Sequence, residues 1–222
     1  MRKFLKQIAA TFTALMMSTP FVHADAIKIT AFGDSLVQGY GLAQGEGFVP
    51  QLQSWFEAQG LDVVVANAGV SGDTTAGGAA RIDWTLADQP DGVIVLLGGN
   101  DLLRGLPPEN ARENLSHIVE ASQKAGAAVM LIGMQAPGNF GAAYKAEFDS
   151  IYADLAQDNG VVLHGFAFEG MVERAGDDPA QLGAFMQDDG IHPNAAGVAA
   201  NIAAMVPKLH ELIEIIRSAD AG

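Results

Sequence analysis

Short, nearly continuous apolar runs alternate along the chain with longer segments in which apolar residues return every three or four positions. The runs cover residues 27–32, 63–67, 93–97, 127–132 and 161–163. Successive side chains of a strand point to opposite faces, so a run without alternation implies burial on both faces, as in a parallel sheet covered on two sides. Of the longer segments, 142–158 is the clearest. There Tyr144, Phe148, Ile151, Tyr152 and Leu155 fall on one helical face, and Asn159-Gly160 supplies residues that accept a left-handed backbone at its end. A second helix is expected over 108–125, with Leu115, Ile118 and Val119 on one face and Gly126 as its stop. A third spans 194–217, with a bend or interruption at Pro207. Strand and helix repeated five times, with right-handed crossovers, predict a three-layer, doubly wound α/β domain whose five-stranded parallel sheet has the order 2-1-3-4-5. In such sheets ligands sit beyond the carboxyl ends of the strands, so residues that carry chemistry should follow strands directly.

The first 24 residues do not fit this alternation. Arg2, Lys3 and Lys6 precede the apolar stretch 8–17, Ser18-Thr19-Pro20 breaks it, and Val22-His23-Ala24 follows. This is the charged, apolar and small-residue order of an export signal, cut after Ala24 or, equally well by the same small-x-small rule, after Ala26. A membrane span needs about twenty apolar residues, which no segment approaches, so no integral membrane segment is expected in the mature chain. One domain from residue 25 to 222 remains, without internal repeats, low-complexity tracts or a linker.

Composition narrows the function classes. The 222 residues carry 12 basic and 26 acidic side chains, a formal charge of -14. Loss of the three basic residues of the leader leaves nine against 26, about -17. Such a surface repels phosphate backbones, and no basic patch offsets it, so nucleic acid is excluded as a partner. Without cysteine there is no disulfide framework, thiol nucleophile or thiolate-bound metal. No two histidines stand at metal-ligand spacing, and Gly39-Tyr40-Gly41 lacks the lysine or third glycine of a phosphate loop. The expectation is chemistry without metal or cofactor.

The first strand runs out into Phe32-Gly33-Asp34-Ser35-Leu36. A serine at the exit of a buried strand presents its hydroxyl to solvent, as a nucleophile requires; alternatively Asp34 or Ser35 merely caps the next helix. Serine needs a base. Of the five histidines, His23 leaves with the leader, His117 and His210 lie in helices and His164 follows a strand. Only His192 has a carboxylate three residues before it on a glycine-containing turn, so Asp189 can hold one ring nitrogen while the other faces Ser35. Pro193 pushes His192 out of helical geometry into the loop before the last helix. The competing reading makes His192 a solvated loop residue and Asp189 a capping acid; Asp188 is expected to point to solvent under either. Acyl transfer also needs donors aimed at a developing oxyanion. Gly72, in Gly69-Val70-Ser71-Gly72-Asp73, offers an unobstructed N–H, and Gly98-Gly99-Asn100-Asp101 offers the Asn100 amide. Ser71 is a rival serine, but Asp73 breaks the Gly-x-Ser-x-Gly pattern of the α/β-hydrolase elbow.

Gly33-Asp34-Ser35-Leu36, Gly72, Gly99-Asn100-Asp101 and Asp189-x-x-His192 together resemble, in order and spacing, the four blocks of the SGNH or GDSL hydrolases. The runs 71–74, 98–101 and 186–194 are similar to the small bacterial periplasmic esterases with thioesterase, lysophospholipase and arylesterase activity. The resemblance implies a flavodoxin-like SGNH hydrolase fold, Ser35 as nucleophile, Asp189 and His192 completing a triad, and an oxyanion hole of the Ser35 and Gly72 N–H groups with the Asn100 side chain. It also implies a periplasmic or secreted location.

Leu36, Leu42, Leu102, Leu103, Leu106, Met134, Pro137, Phe140 and Ile191 lie near strand ends and could line an acyl groove, or bury themselves beneath the loops. The expected function is therefore an exported serine esterase acting on aryl esters and short to medium acyl esters, extending to lysophospholipids and thioesters, with water as second substrate. The net charge argues mildly against strongly anionic substrates such as acyl-CoA. A carbohydrate acetylesterase and a non-catalytic periplasmic binding protein are the alternatives.

Overall fold

A computed structural model describes residues 26–176 and 178–220. The expected export signal at 1–24 lies outside the described residues, as does the bond after Ala24. Five strands, β1 (Ile27–Gly33), β2 (Val63–Gly69), β3 (Gly92–Leu96), β4 (Ala128–Ile132) and β5 (Val162–His164), form one parallel sheet in the order 2-1-3-4-5. All five residues of β3 and the last five of β1 are buried. β2, at the edge, is the exception, with Val64 54% exposed.

The helices are α1 (Ser35–Gln38), α2 (Phe48–Ala58), α3 (Thr75–Thr85), α4 (Gly99–Leu103), α5 (Pro108–Lys124), α6 (Ala142–Asn159), α7 (Glu169–Ala175), α8 (Pro179–Leu182) and α9 (Ala195–Asp220). α3, α5 and α6 pack side by side on one face of the sheet, and α2, α7 and α9 cover the other. α2 buries Phe48, Val49, Leu52 and Phe56, and α5 buries Leu115, Ile118 and Val119, each contributing roughly 1.5–3 kcal/mol when fully removed from water. α6 stops where expected, at a left-handed Gly160.

The expected interruption at Pro207 does not occur, because α9 continues through it. A proline frees the carbonyl four residues before it, and both Ala203 and Pro207 lie on the exposed side of α9, where water can satisfy that group. α3 gave no apolar stripe in the sequence because it approaches the sheet through a glycine. A Cβ on Gly78 would collide with Leu97, and Phe32 and Ile118 close the remaining space.

The register sets the stage for the site. Gly33, the last residue of β1, pairs with Gly69 of β2 on one side and Leu96 of β3 on the other. The three loops that follow therefore begin side by side at one edge of the sheet.

Candidate active site

The nucleophile loop starts from a close approach. A Cβ on Gly33 would strike the Leu96 carbonyl and the Val37 side chain, so only glycine lets the chain turn there. Asp34 is the N-cap of α1, its Oδ1 accepting from the Leu36 N–H at 3.0 Å, and it is 2% exposed. Burial raises its carboxyl from 3.8 to about 6, against the opposing pull of the Leu36 N–H, the Asn100 amide and nearby His192. Ser35, next in the chain, is half-buried, and its Oγ lies 2.8 Å from His192 Nε2.

Arg81, on α3, ties the neighbouring loops to the sheet. Its guanidinium donates to the Gly33 and Ala68 carbonyls, both at 2.9 Å, pairs with Asp73 at 2.7 Å and sits 4.0 Å from the Phe32 ring centroid. Gly72 in the β2 loop has φ +83°, and its carbonyl accepts from Arg104 at 2.7 Å. Asn100 lies in α4, its Nδ2 donating to Asp34 Oδ2 at 3.3 Å. Asp101, 1% exposed, accepts from the Thr75 N–H at 2.8 Å and its hydroxyl at 2.6 Å, which links α4 to the start of α3. Among the described residues, neither the Ser35 nor the Gly72 N–H donates to another protein group.

The loop before α9 is organised differently. Asp189 Oδ2 lies 2.6 Å from His192 Nδ1, while Oδ1 accepts from the Ile191 and His192 N–H groups at 2.9 and 3.0 Å. The His192 N–H, then its ring, then the Ile191 N–H hold the Asp189 carboxyl down at about 2. A carboxylate can only accept, so Nδ1 carries the proton and Nε2 is left to accept from Ser35. Gln187 fastens this loop to the nucleophile loop. Its Nε2 donates to the Tyr40 and Pro193 carbonyls, both at 2.9 Å, and its N–H donates to the His192 carbonyl at 2.8 Å. The Tyr40 ring lies 4.8 Å from the imidazole, centroid to centroid.

The other histidines among the described residues are elsewhere: His117 on α5, His210 edge-on to Trp55, and His164 buried at the end of β5, 3.4 Å from Glu169. Ser71 Oγ donates to Gln38 at 2.6 Å and, among the described residues, has no hydrogen bond to a histidine. Asp188 is exposed.

The expected groove residues scatter. Of them, Leu36 and Leu42 line the narrow recess beside Ser35 and His192. Leu102 and Met134 are taken into the core, because the sides of their loops that face the sheet must be filled. Leu106 is half-buried, and Leu103, Pro137, Phe140 and Ile191 are exposed. Phe140 stacks on Tyr144, whose hydroxyl donates to the Leu106 carbonyl, so these two loops adjoin. Sequence reasoning missed Arg81, Gln187, Tyr40 and the link between Asp34 and Asn100. The Asp34 link had a signal, since both residues stand in the motifs; the others had none.

This chain matches the GDSL-like lipase/acylhydrolase family over residues 31–200. It is 35% identical to Esterase TesA of Pseudomonas aeruginosa over 201 residues, covering 90% of this chain and 95% of that one. It is 36% identical to the Arylesterase of Vibrio mimicus over 167 residues, covering 75% and 80%. The crystal structure of AlinE4, an SGNH-hydrolase family esterase, superposes with a TM-score of 0.67 at 42% identity, covering 85% of this chain and 97% of that one.

Proposed function

From the premise that the chain belongs to the GDSL-like lipase/acylhydrolase family, we propose that Ser35, His192 and Asp189 are the catalytic triad with which it hydrolyses carboxylic esters. The observation that carries this reading is the unbroken line of contacts from Ser35 Oγ through the His192 ring to Asp189, 2.8 and 2.6 Å, at the carboxyl edge of the sheet. Ser35 Oγ attacks the ester carbonyl as His192 Nε2 takes its proton. Negative charge moves to the carbonyl oxygen, for which the Ser35 and Gly72 N–H groups and the Asn100 amide are the donors. Collapse returns the proton from His192 to the departing alcohol and leaves acyl-Ser35, and water repeats the sequence to release the acid. Asp189 keeps the imidazole in the tautomer this cycle needs.

Substrates are aryl esters and short to medium acyl esters, with lysophospholipids and thioesters as further candidates. The exposed Leu103, Pro137 and Phe140 support an acyl chain lying along their loops, with butyryl to octanoyl groups preferred over acetyl. A carbohydrate acetylesterase would show the reverse preference. The order of charged, apolar and small residues in 1–24 supports export of the enzyme. The test is hydrolysis of p-nitrophenyl butyrate: the wild type turns it over, and Ser35→Ala, with an unchanged thermal melt, loses at least about a thousandfold in kcat. Turnover retained by Ser35→Ala would refute the triad.

A further inference from the structure

The donors assigned to the oxyanion lie on separate elements, and the one on the β2 loop is the least enclosed. Residues 70–73 form a tight turn, with the Asp73 N–H donating to the Val70 carbonyl at 3.1 Å and Gly72 at φ +83°. Gln89 is the only non-glycine with a positive φ among the described residues, so Ser71 precedes Gly72 at a negative φ and the turn is of type II. Its ends are anchored. The Val70 N–H donates to the Gly33 carbonyl at 3.0 Å, and Asp73 is paired with Arg81. The middle is not anchored in this way. The Gly72 N–H belongs to the central peptide of the turn, which no bond within the turn holds, and Ser71 and Gly72 are both exposed. A Cβ on Gly72 would meet nothing nearer than Arg104 Nη2 at 3.9 Å, so packing does not fix the tip either.

Two side-chain bonds do reach the tip, and each ties it to an element that carries another oxyanion donor. Ser71 Oγ donates to Gln38 Oε1 at 2.6 Å, and Gln38 lies on α1, which begins with Ser35. Arg104 Nη2 donates to the Gly72 carbonyl at 2.7 Å, and the Arg104 N–H donates to the Asn100 carbonyl of α4 at 3.2 Å. Arg104 makes no ion pair among the described residues, although the chain carries 26 acidic side chains against 12 basic ones. Its charge is directed at a neutral carbonyl, and a charged donor makes the stronger of the two bonds.

We propose that Arg104 is a positioning residue of the oxyanion hole, which together with Ser71 braces the Gly72 turn between the Asn100 helix and the nucleophile helix. The inference rests on the reading of Ser35 as nucleophile and of the Gly72 N–H and Asn100 amide as donors. Both side chains act through the backbone of the turn. As the ester carbonyl becomes an oxyanion, the donor must already stand at hydrogen-bond distance, because any reorientation is subtracted from the stabilisation it gives. A shift of the tip by about an ångström would weaken that bond in the transition state and leave binding of the ester itself as before. Both braces are exposed, so water replaces them with little change in stability.

The test measures kcat and KM for p-nitrophenyl butyrate, and inhibition by butylboronic acid, which forms a tetrahedral adduct on a nucleophilic serine. Wild type is compared with Arg104→Ala, Arg104→Lys and Ser71→Ala. Arg104→Ala should lower kcat about tenfold with KM within about twofold, and weaken boronate inhibition by a similar factor, at an unchanged thermal melt. Arg104→Lys, whose ammonium still reaches one carbonyl, should recover about threefold of that loss, and Ser71→Ala, which removes the neutral brace, should lose about threefold. A kcat within about twofold of wild type in Arg104→Ala, or a loss confined to KM with boronate inhibition unchanged, overturns the assignment. So does an Arg104→Lys variant no better than Arg104→Ala. Failure of the underlying reading shows separately, as turnover of the same ester by Ser35→Ala.

Discussion

Ser35 leaves the end of a strand whose last five residues are buried, whereas His192 rides on a loop where Asp188, Asp189, Gly190 and Ile191 are exposed. The two side chains meet at 2.8 Å but are held there by different physics. On the nucleophile side, position comes from packing and from buried polar links: Gly33 against Leu96, Arg81 across the ends of β1 and β2, and Asp101 bonded to Thr75. On the base side, position comes from short-range hydrogen bonds in which Asp189 organises two residues of its own loop, Ile191 and His192, through three contacts. A buried network fails as a unit when one member is lost, because the others are left without partners. An exposed loop can lose a contact to water at little cost in stability. Damage to the base loop should therefore appear in turnover alone, and damage to the buried side in turnover and stability together.

The largest effect is expected for Asp189→Ala. Loss of the carboxylate removes the tautomer control of His192, and kcat should fall by about three to four orders of magnitude with a nearly unchanged thermal melt. A melt lowered by many degrees would mean that the base loop is as integral to the fold as the strand ends. On the other side, Asn100→Ala removes one oxyanion donor, a loss of roughly 3 kcal/mol or about a hundredfold in kcat, with KM within a few-fold. It also strips a partner from buried Asp34, so here a lower melting temperature should accompany the loss. A change confined to KM would make Asn100 a substrate-binding residue.

Gln187→Ala sharpens the comparison, since this amide is the clasp between the two sides. Its removal frees the Tyr40 and Pro193 carbonyls and should lower kcat by about tenfold by letting the imidazole drift from Ser35. Partial recovery in Gln187→Asn would be inconsistent with the clasp, because the shorter side chain cannot span both carbonyls.

A smaller effect concerns pH. The Asp34 carboxyl, raised to about 6, accepts most strongly from the Asn100 amide when it is ionised. Below pH 6, protonation of Asp34 should therefore steepen the acid limb of log kcat, and Asp34→Asn should make that limb shallower. Stability runs the other way. A carboxyl whose folded pKa lies above its unfolded value stabilises the fold fully below about pH 4 and loses that contribution as pH rises through 6. Denaturant titrations of wild type and Asp34→Asn should diverge across that window, and parallel curves would show that Asp34 is ionised without penalty.

What the sequence revealed follows the same division. The sheet and its order could be read because β1, β3 and β4 are covered on both faces, which leaves long apolar runs; β2, at the edge with Val64 exposed, showed the same run for residues that are only partly covered. The Asp189–His192 pair was legible because its partners are three residues apart and lie on one turn. Arg81 and Gln187 were not, because they bind backbone carbonyls, which every residue possesses, and Gln187 reaches Tyr40 across 147 positions. Leu102 and Met134 were misplaced for a related reason: proximity to a strand end does not say whether a side chain turns toward the ligand or into the core.

The central claim, that Ser35 is the nucleophile activated by His192, is tested most directly by mapping the adduct of a fluorophosphonate. Peptide mass spectrometry of the labelled protein should place a single phosphonyl group on Ser35, with labelling abolished in Ser35→Ala and slowed by several orders of magnitude in His192→Ala. An adduct on Ser71, or labelling that survives in Ser35→Ala, would contradict the account.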